Sequence, residues 1–474
     1  MSLGSFPKGQ AAHLPAGWPP PAVLLVLLGV LAVSVGSIFI SGPYAFDRIV
    51  ILQLAAVFGF GFLLFLLQWP QAGLALLLTG AILVKFEIGT GTESRANAAI
   101  LLSPLLIGGW LLHRVFRRET HDRVHSRTTL PLYLLMITAV LALVVGQYPW
   151  FPVPRASTTA QLAQLAIFLF SGGLFLVVAY QLQDQRWLKW ITYLFIVLGS
   201  IHLLVRLLPG SLASLSGTLP EAVMGGSMFW TWLVAMSFGQ ALMNRDLGPV
   251  ARWVMAGLAL TAIGIGLTQM TGWMSGWLPA LLSVIVLLFL RFPIPTLAAT
   301  PAILALAWLG ESHFIGLATA GDNPYSYSTR VAAIKSLLPL LSANPLLGLG
   351  PANYYHYTIL YPILGWYVKF NSHNNYLDLI GQTGLLGLAC FLWFAWAVGV
   401  TAWKVRFRLM NGFELGYVYS VLAGLLATLV AAGLGDWVIP FIYNTGFAGF
   451  RSSVLPWIFM GGLVALEQRL ARRT

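Results

Sequence analysis

Few residues in this chain can do chemistry, because only 8% of it is charged. The densest polar cluster is Asn371-Ser372-His373-Asn374-Asn375-Tyr376, followed by Asp378 and Gln382. An imidazole with an ordinary pKa of about 6.5 can take a proton at neutral pH, and a nearby carboxylate can orient it. Asn374, Asp378 and Gln382 fall four apart, on one face of a helix. Serine and asparagine beside a helix start also serve simply as caps. Capping has no use for an imidazole, which sets His373 apart as a candidate base. Arg330 offers a planar fork of donors that suits phosphate oxygens, or a snorkelling anchor at a membrane surface. Lys335 and Lys369 read as anchors. Tyr354, Tyr355, Tyr357, Tyr361, Trp366 and Tyr367 can stack on sugar rings or form an interfacial aromatic belt. Arg206 and Arg95 stand near helix ends, where they can hold an anionic head group or anchor the helix. Asp436 reads as a helix-end residue paired with Arg451. No His, Cys and carboxylate spacing suggests a metal site, and no glycine-rich nucleotide loop follows a strand.

These residues must be positioned by membrane helices. The chain has 474 residues, 58% of them hydrophobic, with a mean hydropathy of +0.82. A soluble domain carries about 25% charged residues. Apolar runs of about 18–24 residues match a hydrocarbon core, and they are continuous rather than alternating, so helices are expected instead of a barrel. The expected class is all-α and polytopic, with 12–14 transmembrane helices. Spans are placed near 22–41, 48–68, 71–87, 98–113, 129–147, 159–182, 188–208, 225–243, 250–269, 274–291, 293–311, 376–403, 414–433 and 453–471. The first run lacks a small-residue cleavage site and reads as a retained helix. The single cysteine, Cys390, lies inside an apolar run and supports no disulfide framework.

The net charge of +12 does not gather on one polar face, which argues against nucleic acid as a partner. Basic residues punctuate the spans and define topology instead. With the N-terminus inside, 17 of the 26 basic residues are cytoplasmic, including the group at 114–127. The large hydrophilic loop, 311–375, is then extracytoplasmic, and long loops are usually functional. Within it Ser328-Thr329-Arg330 can start a helix, Val331–Leu341 fits an interfacial helix, and Pro345 with Gly348-Leu349-Gly350-Pro351 forms a turn. No internal repeat or linker separates soluble domains. The chain reads as an N-terminal bundle, 1–219, and a region carrying the loop, 220–474.

Three stretches resemble the O-antigen ligase and polymerase (Wzy-C) superfamily. The first is Arg330 through Tyr354, with Asn344-Pro345-Leu346-Leu347-Gly348-Leu349-Gly350-Pro351. The second is His373-Asn374, nine residues, then Gly384-Leu385-Leu386-Gly387. The third is Gly435-Asp436, then a final helix with Gly461-Gly462. The resemblance spans about 220–474 and implies a GT-C-like membrane glycosyltransferase of the bacterial inner membrane. It implies a glycan donor on undecaprenyl diphosphate, a lipid, glycan or protein acceptor, and no metal, nucleotide or other cofactor. Arg330 would contact the diphosphate. His373 would accept the acceptor's proton or position its hydroxyl, and Asn374, Asp378 and Tyr354 would support it. Many relatives have a Ser-Arg-Gly element where this chain reads Gly272-Trp273-Met274-Ser275-Gly276-Trp277. Arg206 and Arg95 are the candidates to replace that missing arginine. The competing class is a secondary transporter or lipid-linked glycan flippase. That class expects ionisable residues and paired broken helices near the midplane, whereas these charges sit at helix ends and in one loop.

Overall fold

The computed structural model describes residues 69–472 except 92–93, 117–125, 209–216, 300 and 302–322. For residues 70, 323–327 and 330 it describes the backbone alone. The helices are α1 Pro70–Leu83, α2 Ala98–Phe116, α3 Thr129–Val145, α4 Thr158–Gln181, α5 Gln185–Leu207, α6 Glu221–Met224 and α7 Ser227–Met243. They continue as α8 Pro249–Gln269, α9 Met274–Arg291, α10 Asn323–Leu341, α11 Tyr354–Tyr357, α12 Asn375–Val405, α13 Gly412–Leu434 and α14 Gly446–Ala471. Eight are long and apolar enough to cross a membrane, among the described residues. The expected spans 22–41 and 48–68, most of 300–322, and the basic stretch 117–125 lie outside the described residues.

The class is all-α, with one short antiparallel strand pair, Glu87–Gly89 (β1) and Arg95–Asn97 (β2), among the described residues. Its role is local, since Ser94 Oγ accepts the Phe447 N–H at 2.7 Å and Asn97 caps α2 by accepting from Ala99 and Ile100. One expectation is corrected: the loop helix does not start at Ser328. It already begins at Asn323, so Ser328 to Arg330 lie inside it rather than at its cap.

The core forms around α7 and α14. All of Ser227 to Met243 except Leu242 is buried, and 94% of the apolar window of α14 is buried. Apolar faces all round are what a central helix requires. α7 packs on α8, α9 and α13, α14 packs on α4, and α12 packs on α3 and α13. Helices on both sides of residue 219 therefore share one interior. Small residues allow the close approaches, as in other membrane bundles. A Cβ on Gly461 would meet the Phe175 carbonyl oxygen at 2.6 Å, and one on Gly239 would meet Ser420 Oγ at 2.0 Å.

A cation sits in this interior. Arg451 of α14 is fully buried, and it does not pair with Asp436 as the sequence suggested. Its guanidinium donates to the carbonyls of Gly80, Ala81, Val84 and Phe86 at 2.7–3.3 Å. The Glu87 carboxylate lies 3.6 Å away. The last carbonyls of a helix have no intrahelical donors and carry partial negative charge, so Arg451 caps α1 from the opposite end of the sequence. Replacing Arg451 with Leu strands those carbonyls. The expected cost is roughly 3–5 kcal/mol, as for breaking a buried ionic network, measurable as a lower unfolding midpoint of the purified protein. Arg451→Lys should recover only part of it, because one ammonium cannot span four carbonyls.

Candidate active site

The site is built where the loop after α10 meets a break in α12. Gly384 interrupts α12 with φ +69° and ψ −172°, a left-handed position that favours glycine. The break frees backbone groups, and the loop takes them up. Leu349 N donates to Gly381 O at 2.9 Å and Gly350 N to Gln382 O at 3.2 Å. In return Leu385 N donates to Pro345 O at 2.8 Å and Leu386 N to Leu346 O at 3.2 Å. No side chain fits between these backbones: a Cβ on Gly384 would lie 2.1 Å from Leu346 O, and one on Gly348 2.7 Å from Gly384 N. The glycines of the two sequence stretches are thus the two halves of one contact.

Polar side chains hold the rest of the loop. Asn353 is buried, donating to Gly146 O and Leu349 O and accepting from Ala156 N. Gln382 Oε1 accepts from Ala352 N at 3.2 Å. Tyr354 is buried, and its hydroxyl donates to Asp378 and accepts from Ser372 N. Burial, then the adjacent Asp378 carboxylate, hold the Tyr354 phenol well above its ordinary range, so it remains a donor. Ser372 Oγ also donates to Asp378 Oδ1 at 2.6 Å. Asp378 and Tyr354, expected at the substrate, are each only 1% exposed and bind each other. They position the loop.

Asn374 is the N-cap of α12. Its Oδ1 accepts from Tyr376 N at 2.9 Å and Leu377 N at 3.3 Å, while Nδ2 donates to Gly433 O of α13. The capping reading thus belongs to Asn374, and Asp378 and Gln382 share the face turned to the loop. That leaves His373. It is exposed, and its backbone is left-handed at φ +49°, a region in which histidine is enriched among non-glycine residues. Its N–H donates to Asn371 Oδ1 at 2.9 Å.

A second segment, 436–445, reaches the same place. Asn375 donates to Ile439 O and accepts from Val438 N, and Gln164 of α4 donates to Pro440 O and accepts from Ile442 N. Asp436 is buried and accepts from Phe441 N, Thr445 Oγ1 and Asn444 Nδ2 at 2.7–2.9 Å. Asn444 Nδ2 also lies 3.3 Å from His373 Nδ1. Next to it, Tyr443 stacks on Tyr355 with ring centres 4.6 Å apart, and its hydroxyl pairs with His356 Nε2 at 3.1 Å. Burial and then the charge of Lys369 hold the His356 imidazole below its ordinary value, so it is neutral at neutral pH.

The basic candidates stand on other elements. Arg330 is in α10, with its side chain outside the described residues. Arg206, at the end of α5, donates through Nε to Gln269 Oε1 at 3.1 Å. It lines a cavity of about 420 Å³ with His202, Glu221, Gln269 and Met270. Arg95 opens β2 and is exposed. The Gly272–Trp277 stretch meets the 436–445 segment through Trp273 and Trp437, edge to face at 5.7 Å. The sequence reading missed Asn353, Gln164 and Asn444, and it placed Asn375 in the polar cluster without a partner; each has a partner remote in the chain.

No curated protein matches the chain. Residues 252–392 match the family model Wzy_C, described as O-antigen ligase. The matched segment runs from α8 through the loop and the break in α12, and stops short of Asp436 and Asn444. Through that segment, under a third of the chain, this all-α polytopic membrane protein is similar to the O-antigen ligase family.

Proposed function

We propose that this protein is a glycosyltransferase of the ligase or polymerase type, moving a glycan from an undecaprenyl-diphosphate carrier to an acceptor hydroxyl. The observation that supports it most is the exposed His373, held by polar contacts at the loop–helix junction inside the matched segment. In the reaction the acceptor oxygen bonds the anomeric carbon as the carbon–oxygen bond to phosphate breaks. The diphosphate leaves with the electron pair, and the acceptor's proton passes to His373 or, where His373 only positions the hydroxyl, to an oxygen of the departing diphosphate. Fixed positive charge stabilises such a departing anion, the role given to Arg330, with Arg206 and Arg95 in reserve for the absent Ser-Arg-Gly arginine. His373 meets the reacting hydroxyl. The donor's lipid tail accounts for a site carried on membrane helices. The acceptor is a lipid, glycan or protein bearing a free hydroxyl, and the site faces the extracytoplasmic side of the bacterial inner membrane.

The break at Gly384 is a feature transporters also use, with freed backbone lining an ion path. Here the loop 345–352 occupies those groups, which supports a fixed scaffold over a gated path.

The direct test incubates purified protein with undecaprenyl-diphosphate glycan and candidate acceptors, then analyses the product; no glycan transfer to any acceptor would sink the reading. His373→Ala should lower turnover by roughly 10²-fold or more, as for loss of an acid–base group or a preorganised donor, with donor binding retained. His373→Asn should be equally impaired, because Asn374 already supplies the cap; wild-type turnover would remove His373 from the chemistry. Arg330→Lys should be nearly as poor as Arg330→Ala, since lysine lacks the bidentate fork, and full activity of the lysine variant would make Arg330 an anchor. Among the described residues no group of three or more His, Cys, Asp or Glu could hold a metal ion. Transfer should persist in chelator; loss restored by a divalent cation would contradict this. For topology, a cysteine at Trp366, which is 72% exposed, in a Cys390→Ser background should react with impermeant reagent from the extracytoplasmic side. Labelling only from the cytoplasm would invert the site.

A further inference from the structure

We propose that Asn444 is a positioning residue that fixes the tautomer of His373, so that the ring presents Nε2–H, a donor, to the reacting oxygen. This rests on the glycosyl-transfer reading for the identity of that oxygen, but not for the tautomer itself.

The argument starts at Asp436. Its carboxylate accepts three hydrogen bonds, from Phe441 N, Thr445 Oγ1 and Asn444 Nδ2. An amide's two ends are interchangeable by a flip unless a neighbour distinguishes them. A carboxylate distinguishes them, because it accepts only. At 2.7 Å from Asp436 Oδ1, the Asn444 atom must be the NH₂ nitrogen. That nitrogen has a second hydrogen, and it lies 3.3 Å from His373 Nδ1. Nδ1 therefore faces a donor and must accept. In a neutral imidazole one nitrogen carries the hydrogen and the other the lone pair. With the lone pair committed at Nδ1, the hydrogen is on Nε2.

The supports of Asn444 are rigid. Asn444 N and Gly446 N both donate to Phe441 O, at 3.0 and 2.9 Å. Tyr443 is stacked on Tyr355 and bonded to His356. Asn375 and Gln164 hold the preceding residues. The amide is thus fixed before any substrate arrives, the condition for an effective preorganised dipole. The consequence for the reaction is specific: of the two roles open to His373, accepting the proton or positioning the hydroxyl, it takes the second, holding an oxygen through an N–H without drawing a proton to Nε2.

The test reads the ring directly. The full-length protein is labelled with ¹⁵N-histidine in lipid nanodiscs, and the His373 signals are those lost in His373→Gln. At neutral pH and above, wild type should show Nδ1 in the unprotonated range and Nε2 in the protonated range. Asn444→Ala leaves the Phe441 and Thr445 bonds to Asp436 in place, and the residue is exposed, so the fold should hold. In that variant the two signals should move toward each other as both tautomers populate. A proton on Nδ1 in wild type, or an unchanged pattern in Asn444→Ala, overturns the proposal. In the transfer assay Asn444→Ala should lose roughly tenfold or more in turnover with donor affinity unchanged; wild-type turnover overturns the positioning role. If wild type transfers no glycan, the functional reading fails while the spectrum still decides the tautomer.

Discussion

The constraint on which this structure turns is that a peptide group in lipid must find its partner within the protein. Breaking α12 at Gly384 violates the helix's own solution to that problem. The loop from Pro345 to Ala352 repairs it with reciprocal backbone bonds. Once the loop is committed to that repair, its remaining path is short of freedom. Asn353 ties it to the connection between α3 and α4, and Tyr354 ties it to Asp378. His373 then emerges one residue before the cap of the same helix. The position of the imidazole is a consequence of mending a helix.

A division of labour follows from burial. Asp378, Tyr354, Gln382 and Asn375 are each about 1% exposed and serve each other or the backbone. An unpaired polar group in such surroundings is costly, so their hydrogen bonds keep the loop in one arrangement. His373 and Asn444, by contrast, are exposed and meet each other at the surface, 3.3 Å apart. Polar residues clustered in sequence thus separate into a concealed frame and a presented pair, and only the frame needs the low-dielectric interior.

How much of this could be read from the sequence depends on range. Most spans were visible because burial in lipid demands continuous apolar runs, and His373 stood out as a candidate because its type has no use in a cap. The glycine spacings were visible as pattern, while their meaning was not, since Gly348 and Gly384 explain each other only when the two backbones touch. Arg451 was misassigned for a related reason: Asp436 is a near charge in sequence, but the carbonyls it satisfies are some 370 residues away. The start of α10 was misread through Ser328, although Asn323-Pro324 carried the better signal, proline being suited to a first helical turn. Asn444 sits in Tyr443-Asn444-Thr445, which looks like an ordinary turn. Its partner across 71 residues leaves no local trace.

The cap that Arg451 places on α1 also has a temporal side. Val84, whose carbonyl it binds, is separated from it by 367 residues. At roughly 5–20 residues per second of synthesis, that interval is about 20–70 s. Through that time α1 sits in the membrane with its terminal carbonyls lacking their final donor, and the helices that will surround α14 have no centre to close upon. Assembly is therefore gated by a late arrival.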